Sequence, residues 1–154
     1  MTTVPFEMTT PADIPALQRV LDETHLFPSE MLPDMLAPML AGDSPARWLT
    51  CHRDGVAIGL CFAEPEELTD GTWNMLALAL HPQYQGQGLG AALTRALEDQ
   101  LRAEGKRLII VDTSGTDDFA KTRGFYSHIG YNQVACIPDY WANGDDKIVF
   151  SKPL

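Results

Sequence analysis

The sequence predicts one mixed α/β domain, on three observations. Its 154 residues suffice for one well-filled core and fall short of two, and 45% apolar with 21% charged residues is an ordinary globular composition. Stretches of strand and helix character follow one another in the order β-α-α-β-β-β-α-β-α-β-β, with no repeat, low-complexity tract or linker between them. One of these stretches, TWNMLALAL at 72–80, shows so little polar alternation that it reads as a strand buried on both faces.

Each element has its own local warrant. VPFEM (4–8) is a short strand. A helix follows from Thr10 as N-cap, with Pro11 at the first helical position, Asp13 three residues after the cap, and Ile14, Leu17, Val20 and Leu21 on one face. SEMLPDMLAPMLAG (29–42) predicts a second, Met-rich helix closed by Gly42, with Pro33 in an early turn and Pro38 able to kink or divide it. Two strands flank the Arg-Asp-Gly turn at 53–55. After 72–80 come a glycine segment, a helix from about Leu89 to Glu104 stopped by Gly105, and a buried strand over 107–113. Residues 117–129 suit a helix that starts at an Asp cap and ends at Gly130. YNQVACI and DKIVFSK close the chain as strands, joined by the loop PDYWANGD with its Asn143-Gly144 turn.

Composition excludes several functions. A net charge of −10 argues against a nucleic-acid groove, which needs clustered Lys and Arg, while it suits solubility or a field that favours cations. No window holds 18 consecutive apolar residues, and MTTVPFEMTT has neither a basic nor an apolar leader region, so no membrane span or signal peptide is expected. Cys51, Cys61 and Cys136 show no paired spacing and read as reduced, buried thiols of a cytoplasmic protein. His25, His52, His81 and His128 have no metal-ligand spacing, so no metal is expected.

The segment LALALHPQYQGQGLGAALTRAL (76–97) carries the chemistry. Gly86, Gly88 and Gly90 precede a strong helix at alternate positions, a pattern that keeps backbone N–H groups bare for an anion. A P-loop is excluded, because no GxxxxGK[ST] string occurs. A dinucleotide fingerprint fits Gly86, Gly88 and Ala91, with Asp112 lying 22 residues beyond Gly90. Against it, HPQYQ separates the glycines from the strand, and the 42 residues after Asp112 hold no further parallel β-α units.

Gln85-Gly86-Gln87-Gly88-Leu89-Gly90 instead resembles the acetyl-CoA-binding [QR]xxGx[GA] motif of the GCN5-related N-acetyltransferases (GNAT). The resemblance extends upstream through the apolar strand and His81-Pro82. Downstream it takes in Leu89, Leu93, Leu97 and Leu101, and then RGFYSHIGY, which is similar to the family's FY…G[FY] ending. It implies a central mixed, largely antiparallel twisted sheet of six to seven strands with about four helices. It also implies acetyl transfer from acetyl-CoA to a primary amine of a small molecule by direct attack, in a protein that is often a homodimer.

The resemblance assigns roles residue by residue. Tyr126 is implied as the general acid that protonates the departing thiolate. The backbone of Leu78, Ala79 and Leu80 is implied to meet the pantetheine arm and the oxyanion, while residues Gln85 to Ala91 meet the pyrophosphate. The side chains of Leu76, Leu78 and Leu80 read as core. No general base stands out: Glu64, Glu66, Glu67 and Asp112 all end strands near the site. The family's usual cofactor-contacting Asn is replaced by Phe119, with Ser114 or Thr116 as substitutes for that contact. Asp139, Tyr140 and Trp141 either receive a cationic acceptor or seal a core or dimer contact. The missing base and Phe119 leave open a non-catalytic acyl-CoA sensor on the same fold.

Overall fold

The computed structural model describes residues 6–154. Seven strands form one sheet in the order β1-β2-β3-β4-β5-β7-β6: β1 (Phe6–Met8), β2 (Arg47–Arg53), β3 (Val56–Pro65), β4 (Thr72–Leu80), β5 (Leu108–Ser114), β6 (Asn132–Ala142) and β7 (Asp145–Pro153). Every neighbouring pair is antiparallel except β4 and β5, which run parallel. Four α-helices accompany the sheet: α1 (Ile14–Thr24), α2 (Leu32–Leu40), α3 (Leu89–Ala103) and α4 (Ala120–His128). The expected element order and mixed sheet are therefore observed.

The helices divide between the two faces. Leu89, Leu93, Leu97 and Leu101 recur every fourth residue, and α3 buries that stripe with Trp73, Met75, Ile109, Val111, Tyr126 and Phe150. Each such leucine contributes about 1.5–3 kcal/mol by leaving water. On the opposite face, Leu17 and Leu21 of α1 and Leu32 and Leu36 of α2 pack on Trp48, Leu60, Phe62 and Ala77. The start of α1 uses the expected carboxylate: the Thr10 N–H donates to Asp13 Oδ2 at 2.9 Å.

Several local expectations change. Val4 and Pro5 of the first strand lie outside the described residues. Pro38 neither divides nor ends α2, which runs through it after a 3-10 turn at Ser29–Met31. The 117–129 helix opens as a 3-10 turn over Asp117–Phe119, with extended Thr116 as its cap. PDYWA is strand rather than loop, because β6 continues irregularly to Ala142 and only Asn143-Gly144 turns the chain. Cys136 is exposed on that outermost strand, not buried, whereas Cys51 and Cys61 are core thiols.

Candidate active site

A single extra residue opens the sheet. Opposite β3, Phe62 pairs with Ala77 and Ala63 with Met75, so Leu76 is a bulge in β4. β4 pairs with β5 only over Thr72–Asn74, against Leu108–Ile110, and beyond the bulge the two strands part. A cavity of about 580 Å³ fills the gap, lined by Met75 to Leu80 on one side and Val111 to Ser114 on the other. Leu76, expected in the core, is 48% exposed and lines this cavity.

The parting leaves backbone groups without a neighbouring strand. The His81 N–H donates to the Ile58 carbonyl at 2.8 Å. Alternation along the strand therefore turns the backbone of Ala79 toward β3 and those of Leu78 and Leu80 toward the cavity. Of the three residues named from the sequence, two direct their amides at the gap.

The glycine segment sits at one end of this cavity. Gln85 lines it and explains its own place in the motif: its Nε2 donates to the Leu80 carbonyl at 2.9 Å, fastening the loop to the end of β4. Gly86 (φ 77°) and Gly88 (φ 79°) take left-handed backbone conformations, and a Cβ at either would meet only open space. Gly90 differs, being helical within α3 with the Phe125 ring 3.6 Å from where its Cβ would be. Gly88 is the N-cap of α3, whose first turn holds no acidic side chain, so its N–H groups and positive dipole end remain available to an anion. Gln87 is exposed, Leu89 is buried against the core, and Ala91 follows within the helix. An open glycine cradle, a bare helix terminus and a strand gap with free amides fit the pyrophosphate and pantetheine of coenzyme A.

Tyr126 reaches the cavity from α4. Its ring is 6% exposed and packs edge-on against Phe125 and Tyr131, with centroids 5.2 and 5.7 Å away. Burial, with a smaller push from Cys61, drives its phenol pKa well above the ordinary value, so it stays protonated through the neutral and alkaline range. Tyr131 stands in contrast: its hydroxyl donates to Glu98 Oε2 at 2.7 Å, and Lys152 Nζ holds the other carboxylate oxygen at 3.0 Å.

The other end of the cavity is made of side chains from distant segments. Asp112 and Asp145 line it with Trp141, Thr24, Leu26 and Phe119. Asp112 Oδ2 lies 3.2 Å from Asn74 Nδ2 and 3.5 Å from Lys147 Nζ. Trp141 is anchored by its Nε1–H, which donates to the Thr113 carbonyl at 3.2 Å. Phe119, in place of the expected amide, makes this part of the wall apolar. Ser114 is also at the wall, but its hydroxyl donates to Asp145 Oδ1 at 2.5 Å and is shared with Thr116.

Several candidates named from the sequence do not line the cavity, among them Glu66, Glu67 and Thr116. Glu64 is exposed near the end of β3, opposite Asn74, and does not line the cavity. Asp139 Oδ1 accepts from the Gly144 N–H at 2.8 Å, capping the hairpin turn. Tyr140 stacks edge-on with Trp141 and lies beneath Lys147 Nζ, 4.4 Å from its ring centroid, outside the lining. Sequence reasoning missed Asp145, Thr24, Leu26 and Thr122, which carry no motif and meet only through the fold.

Comparison with known proteins agrees with this geometry. The chain is 26% identical over 146 residues to the ribosomal protein bS18-alanine N-acetyltransferase of Escherichia coli K12, covering 92% of both chains. A GNAT-family structure from Desulfovibrio desulfuricans superposes with a TM-score of 0.90 at 27% identity, covering 98% of this chain and 99% of that one. The PaiA N-acetyltransferase of Thermoplasma acidophilum, solved with coenzyme A, shares the fold with a TM-score of 0.77 at 14% identity over 99% and 100% of the two chains. The model of the acetyltransferase (GNAT) family matches residues 14–131, and the chain belongs to that family of acyltransferases.

Proposed function

We propose that the protein transfers the acetyl group of acetyl-CoA to a primary amine by direct attack. The observation that carries this reading is the cavity in the β4–β5 gap, which gathers the glycine loop, the Leu78 and Leu80 amides, Tyr126 and Asp112 around one space. In this reading Asp112 is the general base, since it lines the cavity and Glu64 does not. Its carboxylate takes the proton of the acceptor ammonium, and the amine forms the C–N bond. One of the Leu78 and Leu80 amides stabilises the oxyanion, the other being left to the pantetheine arm. As the C–S bond breaks Tyr126 protonates the thiolate, and the second proton released by the nitrogen on forming the amide restores the phenol.

The acceptor end supports a cationic amine, through Asp112, Asp145 and the Trp141 ring. A small-molecule amine is the first reading. A protein N-terminus is a second, favoured by the relation to the bS18-alanine N-acetyltransferase over 92% of both chains. The unpaired cysteines suit a cytoplasmic setting, and the family resemblance implies a homodimer. Thiol release from acetyl-CoA, measured with a panel of small amines and with peptides bearing a free N-terminus, tests the reading. Turnover with either class supports transfer and selects the acceptor. Coenzyme A binding without turnover on any amine supports the acyl-CoA sensor instead.

A further inference from the structure

We infer that Asn74 is a positioning residue for acetyl transfer: its amide clamps Asp112 so that one carboxylate oxygen faces the acceptor amine. This rests on the reading of Asp112 as general base. Asn74 is 6% exposed, in β4 two residues before the bulge, where that strand is still paired with β5. Its Nδ2 donates in two directions, to Glu66 Oε1 at 2.9 Å and to Asp112 Oδ2 at 3.2 Å. Its Oδ1 is buried with no hydrogen-bond partner among the described residues.

That combination fixes the orientation of the amide. Turning it over would bring Oδ1 against two carboxylates, so the conformer with an orphaned oxygen is the favoured one. The amide is thus held for what its nitrogen donates. Lys147 Nζ, on β7, approaches the same Oδ2 at 3.5 Å and is itself held over the Tyr140 ring. Both partners therefore sit on Oδ2, and Oδ1 of Asp112 is left to receive a proton. The charged groups around Asp112 are Lys147 on β7, Glu66 beyond Asn74, Glu64 opposite Asn74 in register, and Asp145 at the cavity wall.

The test is the pH profile of kcat/KM for Asn74→Ala, Glu66→Ala and Asp112→Asn in the full chain, with coenzyme A affinity by calorimetry and Tm as controls. Loss of the Asn74 donor lets the Asp112 carboxylate turn away from the acceptor amine. The plateau falls about tenfold, the equivalent of one hydrogen bond to a charged group. The loss is in kcat, with coenzyme A affinity unchanged. Glu66→Ala, in a surface turn, leaves the amide free to rotate and lowers the plateau by a smaller factor, which keeps the inference testable should Asn74→Ala fail to fold. A plateau identical to wild type in Asn74→Ala, or an unchanged plateau in Glu66→Ala if only that variant folds, overturns the clamp. Wild-type rate and limb in Asp112→Asn overturn the base assignment itself, a separate result.

Discussion

The two ends of the cavity are built on different principles. In the proposed reading the donor end is backbone: left-handed glycines, the first turn of α3, and the Leu78 and Leu80 amides exposed where β4 and β5 part. The acceptor end is side chains: Asp112 from β5, Trp141 from β6, Asp145 from β7, and Thr24 and Leu26 from beyond the sheet. A backbone site recognises what every donor molecule shares, a pyrophosphate and a chain of amides. A side-chain site can change one residue at a time without disturbing the fold, which suits an acceptor that differs from relative to relative.

This contrast can be broken by experiment, starting at the junction of the two ends. Tyr126→Phe keeps the ring and removes the proton, so kcat falls about a hundredfold, the scale of lost general-acid catalysis, while calorimetry finds coenzyme A affinity unchanged. An undiminished kcat would remove Tyr126 from the mechanism. If Tyr126 is the acid, its raised phenol pKa keeps it loaded as pH rises, so wild-type kcat shows no fall up to about pH 10.

At the donor end, Gly88→Val forces a β-branched residue into a left-handed conformation at a cost of about 1–3 kcal/mol. Coenzyme A binding weakens by roughly tenfold or more for that cost, and acceptor KM at saturating acetyl-CoA stays the same. At the acceptor end, Trp141→Ala raises the acceptor KM by about fivefold, the range of one cation–π contact, and leaves coenzyme A affinity alone. If Trp141→Ala weakened coenzyme A binding as much as Gly88→Val, the division into two ends would collapse.

The smallest effect on rate is expected for Tyr131→Phe. Tyr131 neighbours Tyr126, yet its hydroxyl is spent on Glu98 inside the core. The variant loses about 1.5–3 kcal/mol of stability, read by chemical denaturation, with kcat unchanged. In the proposed mechanism two tyrosines packed edge-on thus separate into one that acts and one that holds.

The same division explains what the sequence disclosed. The order of elements was legible because each carries local signals: the Thr10–Asp13 box, the Asp54-Gly55 turn and the four-residue leucine spacing of α3. The donor end was legible for a related reason, since backbone conformation is written as glycines and as Gln85, which must reach the Leu80 carbonyl. The acceptor end was not. Asp145 looks like any surface acid until β7 is laid beside β5, and Tyr140 and Trp141 are sequence neighbours with opposite fates. Apolar composition also misled at Leu76 and Cys136. The bulge turns Leu76 into the cavity, and Cys136 lies on the outermost strand, whose residues are exposed along its length.

The bulge has an evolutionary consequence. Trp73 and Met75 before it, and Leu78 and Leu80 after it, all pack toward α3, while Ala77 packs toward α1 and α2. Removing the codon for Leu76 would place Met75 directly before Ala77 and restore regular alternation, with every core side chain still on its own face. Such a deletant is expected to pair β4 with β5 further along and to lose coenzyme A binding, as calorimetry would read. Activity in this fold is therefore separated from an inert protein by one in-frame triplet.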